Sequence, residues 1–128
     1  MPNATDSQRS PASVTGNPAL EAFFKIAELW SLSIEQQITL LGSPARSTFY
    51  KWKKEGGLLS TDTEERISHL VSIFKALQIV VPDAKAADTW LHRPNKYFGG
   101  RSALSVMLDG KLTDIFAVRT YLDAQRGG

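Results

Sequence analysis

The residues with the most chemistry to offer in this chain are cations. Arg46, Lys51, Lys53 and Lys54 follow one another with no acidic residue among them until Glu55. Ser47, Thr48 and Tyr50 are interleaved with them. Lys and Arg neutralise phosphates, and short polar side chains near a helix N-terminus can contact phosphates or reach base edges in a groove. A charge run of this kind can equally be a solvated helix face. The remaining ionisable groups offer less. His69 lies between Ile67 and Leu70, and His92 follows Leu91. They are not at metal-ligand spacing, and the chain has no cysteine to complete a site. Each histidine is expected to be satisfied by a neighbour or to face solvent. Glu64-Glu65 reads as an acidic pair favoured by a helix dipole, not as an acid/base dyad. Gly56-Gly57 and Gly99-Gly100 do not follow a phosphate-loop pattern. With no nucleophile set and no cofactor fingerprint, the expectation is a binding protein and not an enzyme, with no metal and no cofactor.

A second stretch looks built for docking. Trp90-Leu91-His92-Arg93-Pro94-Asn95-Lys96-Tyr97-Phe98-Gly99-Gly100-Arg101-Ser102-Ala103-Leu104 reads as a helix stopped by Pro94, a polar and aromatic crossing, a glycine hinge and a new helix capped by Ser102. Pro94, Asn95, Gly99 and Gly100 are expected to build the turn, and Trp90, Leu91, Phe98, Leu104 and Leu108 to pack in the core. Arg93, Lys96, Tyr97 and Arg101 are groups that a core does not need. They are therefore the candidate partner contacts, together with the cationic, glycine-ended Arg126-Gly127-Gly128.

The elements that must position these residues are helical. Leu20, Phe23, Phe24, Ala27 and Trp30 recur at helical spacing from Pro18. A second helix begins at a Ser33/Gln36 capping box, carries Ile34, Ile38, Leu40 and Leu41, and ends at Gly42. A third is expected to be capped by Ser43 with Pro44 in its first position. Phe49 and Trp52 face inward, and Gly56-Gly57 stops it. The spacing predicts a long fourth helix from a Thr61/Glu64 capping box, with Ile67, Leu70, Val71, Phe74 and Leu77 as its buried stripe. Ile79-Val80-Val81 either ends that helix or forms a short extended piece. A fifth helix is expected from Pro82 to about Leu91, a sixth from Ser102 to about Leu108, and a seventh carrying Leu112, Ile115, Phe116, Arg119 and Leu122. Strand-like alternation and internal repeats are missing from the pattern.

Composition sets the outer bounds. The chain has 128 residues, 42% hydrophobic and 22% charged, which suits one compact domain or two small ones sharing a core. Net charge is only +2 and the pI about 9.0, so charge distribution carries more information than its sum. No apolar run approaches the roughly 18 residues of a membrane helix. Residues 1–17 are rich in Ser, Thr, Pro and Ala, lack the apolar region of a signal peptide, and read as a disordered tail. A cytoplasmic protein fits these features. The expected division is a tail over 1–17, a DNA-binding domain over 18–81 and a docking domain over 82–128. No flexible linker separates the halves near Val81, so they are expected to pack together.

Leu40-Leu41-Gly42-Ser43-Pro44-Ala45-Arg46-Ser47-Thr48-Phe49-Tyr50-Lys51-Trp52 resembles the helix-turn-helix of Xre-like bacterial regulators, with one extra residue in the turn at Ser43-Pro44-Ala45. Ala87-x-x-Trp90-Leu91-x-x-Pro94-Asn95-x-x-Phe98-Gly99-Gly100-Arg101-x-x-Leu104, followed by Val118-Arg119-x-x-Leu122-Asp123, resembles the toxin-binding domain of Xre/MbcA/ParS antitoxins. Ala103 stands where many relatives have Pro, and both suit the first turn of a helix. The resemblance implies an all-α protein: an N-terminal Xre-like helix-turn-helix bundle packed against a small helical toxin-binding domain. It implies the antitoxin of a type II toxin-antitoxin system. The partner is then a RES-domain toxin that consumes NAD or transfers ADP-ribose from it, and the antitoxin blocks its active site. Double-stranded operator DNA is the other implied partner. Specific DNA binding requires a homodimer that spaces two recognition helices about 34 Å apart. The first helix is a candidate dimer surface. Two other readings remain open: a stand-alone helix-turn-helix repressor whose C-terminal half dimerises, and a protein-binding module without DNA affinity.

Overall fold

The computed structural model describes residues 17–127. Among them are seven α-helices and one short 3₁₀ turn. Met1 to Gly16 of the expected tail lie outside the described residues, as does Gly128. Asn17 departs from the tail assignment, because it caps the first helix, α1 (Pro18–Leu29). Its Oδ1 accepts from the Leu20 amide at 3.1 Å, and its Nδ2 donates to the Gly57 carbonyl at 2.9 Å. Pro18 then occupies a first-turn position where its missing N–H costs nothing. Leu20, Phe23, Ile26, Ala27 and Trp30 form the buried face.

Helix α2 (Ile34–Leu40) starts with the expected capping box, both halves of which are made. Its deepest residues are Gln37, Leu40 and the following Leu41, whereas Ile34 and Ile38 are half-buried. Gln37 is buried with its Nε2 donating to the Leu32 carbonyl at 3.0 Å, while its Oε1 has no partner among the described residues.

The turn into α3 (Arg46–Glu55) corrects the expected cap. Gly42 and Ser43 both have positive φ, at 98° and 60°. The Ser43 amide closes α2 by donating to the Ile38 carbonyl at 2.9 Å. Ser43 thus ends one helix and cannot begin the next. Pro44 continues the turn, and Ala45 takes the N-cap position with no side-chain bond. Gly42 is required there for a second reason. A Cβ on it would sit 3.1 Å from Asp62 Oδ2 and 3.2 Å from Arg66 Nε, an ion pair that lies against the turn.

Helix α4 (Thr61–Val80) is the strut of the molecule. Its cap is Ser60, one residue before the expected Thr61, and Ser60 Oγ accepts from the Thr63 amide. Thr63 Oγ1 donates to the Leu41 carbonyl at 3.1 Å, which ties α4 to the end of α2. Ile67, Leu70, Ile73, Ala76 and Leu77 are buried, while Val71 and Phe74 are only half-buried. The wide buried face arises because α4 packs on α1, α5 and α7 at once. Val80 is still helical and Val81 is extended, which settles the β-branched run.

Asp83 caps α5 (Ala84–Trp90), so this helix starts two residues beyond the expected Pro82. Lys96–Phe98 form the 3₁₀ turn, held by Asn95, whose side chain accepts from the Tyr97 amide at 2.8 Å. Asn95 also exchanges backbone bonds with Arg101 and Gly100, and Gly99 takes the left-handed conformation that closes the loop. Ser102 caps α6 (Ala103–Met107) as expected. The last helix, α7 (Leu112–Gly127), buries Ile115, Val118 and Leu122. Of the residues expected in the core of this half, Leu91 and Leu104 are buried, whereas Trp90, Phe98 and Leu108 pack half-buried on its edge. No described helix is long and apolar enough to cross a membrane.

Candidate functional site

Helix α3 turns about 100° per residue. Phe49 points into the core and Trp52 packs against it, so Ser47, Tyr50, Lys51 and Lys54 fall on the opposite, exposed side. The Tyr50 ring stands edge-on to Phe49 at 5.4 Å, which holds it upright on this face. The other three candidates flank it. Arg46 is exposed but ion-paired with Glu35 of α2. Lys53 lies on one flank with its Nζ 5.9 Å above the Phe24 ring. Thr48 lies on the other flank, where it lines an open depression of about 760 Å³ with Lys51, Trp52, Glu55 and Leu58. The face therefore presents two lysines with no ion-pair partner among the described residues, a hydroxyl and a phenol, a set suited to phosphates and base edges.

Two features of this end are tertiary and were not foreseen. Glu35 sits a helix away from Arg46 in sequence, and only the α2–α3 turn brings them together. Leu58 is 97% exposed while Leu59 is half-buried. The sequence shows two adjacent leucines after Gly56-Gly57, with nothing to say which one packs.

Of the C-terminal candidates, Tyr97 meets Tyr121, a residue that sequence reasoning missed. Trp90 stacks on the Tyr121 ring at 6.2 Å, Phe98 meets it at 5.4 Å and Tyr97 at 4.4 Å. Three segments thus meet in one aromatic cluster: α5, the 3₁₀ turn and α7. Tyr97 is its outermost ring, 67% exposed. The only advance signal was the helical position of Tyr121 beside Leu122. Lys96 is exposed next to Tyr97, and Arg93 is exposed with its guanidinium donating to the Ala86 carbonyl at 3.2 Å.

Arg101 sits differently. Its guanidinium donates to Ser105 Oγ and to the Ser105 carbonyl, and grips both carboxylate oxygens of Asp109 at 2.9 and 3.1 Å. These bonds hold the Asp109 carboxyl below its usual range and raise the guanidinium. Arg101 is in effect a clamp across α6. Arg126 and Gly127 are exposed but belong to the last turn of α7, not to an extended tail. Arg126 lies about 7.5 Å along the helix beyond Tyr121. Gly128 lies outside the described residues.

The histidines are both satisfied. His69 Nδ1 accepts from Arg119 Nη1 at 2.9 Å, and its ring meets Phe116 edge-on at 5.2 Å. Burial, then the Arg119 charge, push its pKa down, partly offset by Glu65. His92 Nε2 is bonded to the Trp30 carbonyl at 2.7 Å.

Comparison with known proteins agrees with this two-ended arrangement. Residues 10–72 match the antitoxin Xre-like helix-turn-helix domain. Residues 76–128 match the antitoxin Xre/MbcA/ParS C-terminal toxin-binding domain. Neither matched domain is a catalytic one. The uncharacterized protein y4oB of Sinorhizobium fredii (strain NBRC 101917 / NGR234) is 57% identical over 125 residues, covering 98% of this chain and 92% of that protein. The two domain matches meet inside α4, the helix on which both the α3 bundle and the aromatic cluster around Tyr121 are built, and the chain belongs to the Xre/MbcA/ParS-type antitoxin family.

Proposed function

We propose that this protein is the antitoxin of a type II system whose toxin carries a RES domain, either consuming NAD or transferring ADP-ribose. In this reading residues 82–128 cover the toxin's active site, and residues 18–81 bind operator DNA, so that the pair represses its own promoter. The contacts on the toxin are Arg93, Lys96, Tyr97 and the Arg126-Gly127-Gly128 end, with Arg101 shaping the loop that presents them. The DNA contacts are Ser47, Tyr50, Lys51 and Lys54, bordered by Arg46, Thr48 and Lys53. The working form on DNA is a homodimer in the cytoplasm.

The observation that supports this reading best is the continuity of α4. One 20-residue helix packs on α1 on the DNA-reading side and on α7 on the toxin-binding side. A toxin seated on α7 is then carried rigidly with α3. Co-expression with a RES-domain protein tests the proposal. The pair should co-purify, the chain should abolish NAD turnover, and the complex should bind the promoter with a steep salt dependence. A chain that binds the promoter and dimerises through residues 82–128, without touching the toxin, is instead the stand-alone repressor.

A further inference from the structure

Helix α1 has a second face. Leu20 and Phe24 turn toward α3, where Phe24 meets Phe49 at 5.7 Å. On the side away from α3, an open groove of about 290 Å³ runs between α1 and α4, lined by Ala22, Lys25, Ile26, Leu29, Val71, Phe74 and Lys75. Its exposed floor is apolar. Leu29 is 43% exposed at one end. Ala22 and Leu29 stand two turns apart on the same helix face, about 10 Å.

The size and the rims narrow the occupant. Small-molecule pockets span about 300–1,000 Å³ and are enclosed, so this shallow channel suits side-chain knobs better. One lysine stands on each rim, Lys25 on α1 and Lys75 on α4. Neither pairs with a carboxylate among the described residues. A second copy of the chain would bring two more lysines to the same rims. An acidic partner gains from both.

We propose that this groove docks an amphipathic α-helix from a partner protein, with apolar residues at i, i+3, i+4 and i+7 and acidic residues on its flanks. The apolar stripe fills the channel from Ala22 to Leu29 against Val71 and Phe74, and the flanking carboxylates reach Lys25 and Lys75. The groove shares no residue with the exposed side of α3 or with the Tyr121 cluster.

Two synthetic helical peptides test it, both with leucines at i, i+3, i+4 and i+7. One carries glutamates on its flanks and the other lysines. Added to the full-length chain, the glutamate peptide should shift the NMR signals of Ile26, Leu29 and Val71. Its affinity should fall at least about tenfold in the Lys25→Glu/Lys75→Glu variant, a substitution of exposed side chains, and that variant should accept the lysine peptide instead. Equal binding of both peptides to the unsubstituted chain overturns the proposal, as does a lack of shifts at millimolar peptide. Shifts of the same signals with protein concentration alone also overturn it, because they assign the groove to a second copy.

Discussion

His92 Nε2 lies 2.7 Å from the backbone carbonyl oxygen of Trp30, sixty-two positions away in the chain. A carbonyl oxygen only accepts, so the ring donates from Nε2. The bond ties the turn after α5 to the end of α1, across the two regions matched to different domains. Replacing His92 with Ala should therefore cost about 0.5–1.5 kcal/mol, the net worth of a hydrogen bond. Urea unfolding of the variant should show one transition at a lower midpoint. An unchanged midpoint would mean that water replaces the ring at no cost.

The α4–α7 seam carries a pH response. His69 must be neutral to accept from Arg119, and a proton on it would face that guanidinium at 2.9 Å. Glu65 and Asp123 are the nearby acids, the first opposing the pKa shift and the second 3.5 Å from Arg119 Nε. The folded pKa is depressed below the ordinary value of 6.5. The unfolded chain thus takes up this proton at a higher pH than the folded one. Stability from this group is full above pH 6.5 and declines as pH falls through that value toward the folded pKa. Thermal melts between pH 7.5 and 5 should show the decline, and His69→Gln should flatten it. A variant with the same pH slope would place the response on other groups.

Arg101 and Asp109 should behave as one unit. If Arg101 acts by clamping α6, then Arg101→Ala and Asp109→Ala should weaken toxin inhibition to the same extent, and the double variant should be no worse than either. If the guanidinium instead touches the toxin, Arg101→Ala alone should be the severe change. Inhibition constants of the three variants decide between these outcomes. Both groups are exposed, so the clamp is expected to shape the loop and to add little to global stability.

The single helices were readable because their signals are local. Ser33 and Gln36 announce α2 within four residues, and Ser102 announces α6. The misplaced boundaries are those where one residue had two possible duties. Ser43 has the side chain of an N-cap, but its backbone closes α2, and Ser60 rather than Thr61 meets the Thr63 amide. Interior stripes were legible only where a helix has one neighbour. Helix α4 has three, so Ile73 and Ala76 joined the core while Val71 and Phe74 moved to the groove. On the candidate site, residue type indicated the charged groups but not their freedom. Among the described residues Arg46, Lys53 and Arg101 are engaged, while Lys51 and Lys54 have no such partner. That distinction depends on Glu35, Phe24 and Asp109, each of which reaches its partner through the fold.

That difference in freedom gives an ordered set of DNA-binding outcomes. Each lysine that neutralises a phosphate contributes about 0.9 to the slope of log affinity against log salt. Lys51→Ala and Lys54→Ala should each lower the slope by about that amount and weaken binding to all sequences alike. Arg46→Ala should do less, because Glu35 already satisfies much of its charge. Glu35→Gln removes the competing carboxylate and leaves Arg46 available to a phosphate. It should raise affinity at low salt and steepen the slope, an outcome opposite in sign to the lysine variants. Because both side chains of this pair are exposed, the substitution should leave the fold intact, which a melting curve can verify. Fluorescence anisotropy with a promoter duplex over a salt series reads all four variants. If Glu35→Gln leaves the slope unchanged while the lysine variants lower it, Arg46 stands outside the interface and the contact surface is confined to the Ser47, Tyr50, Lys51 and Lys54 side of α3.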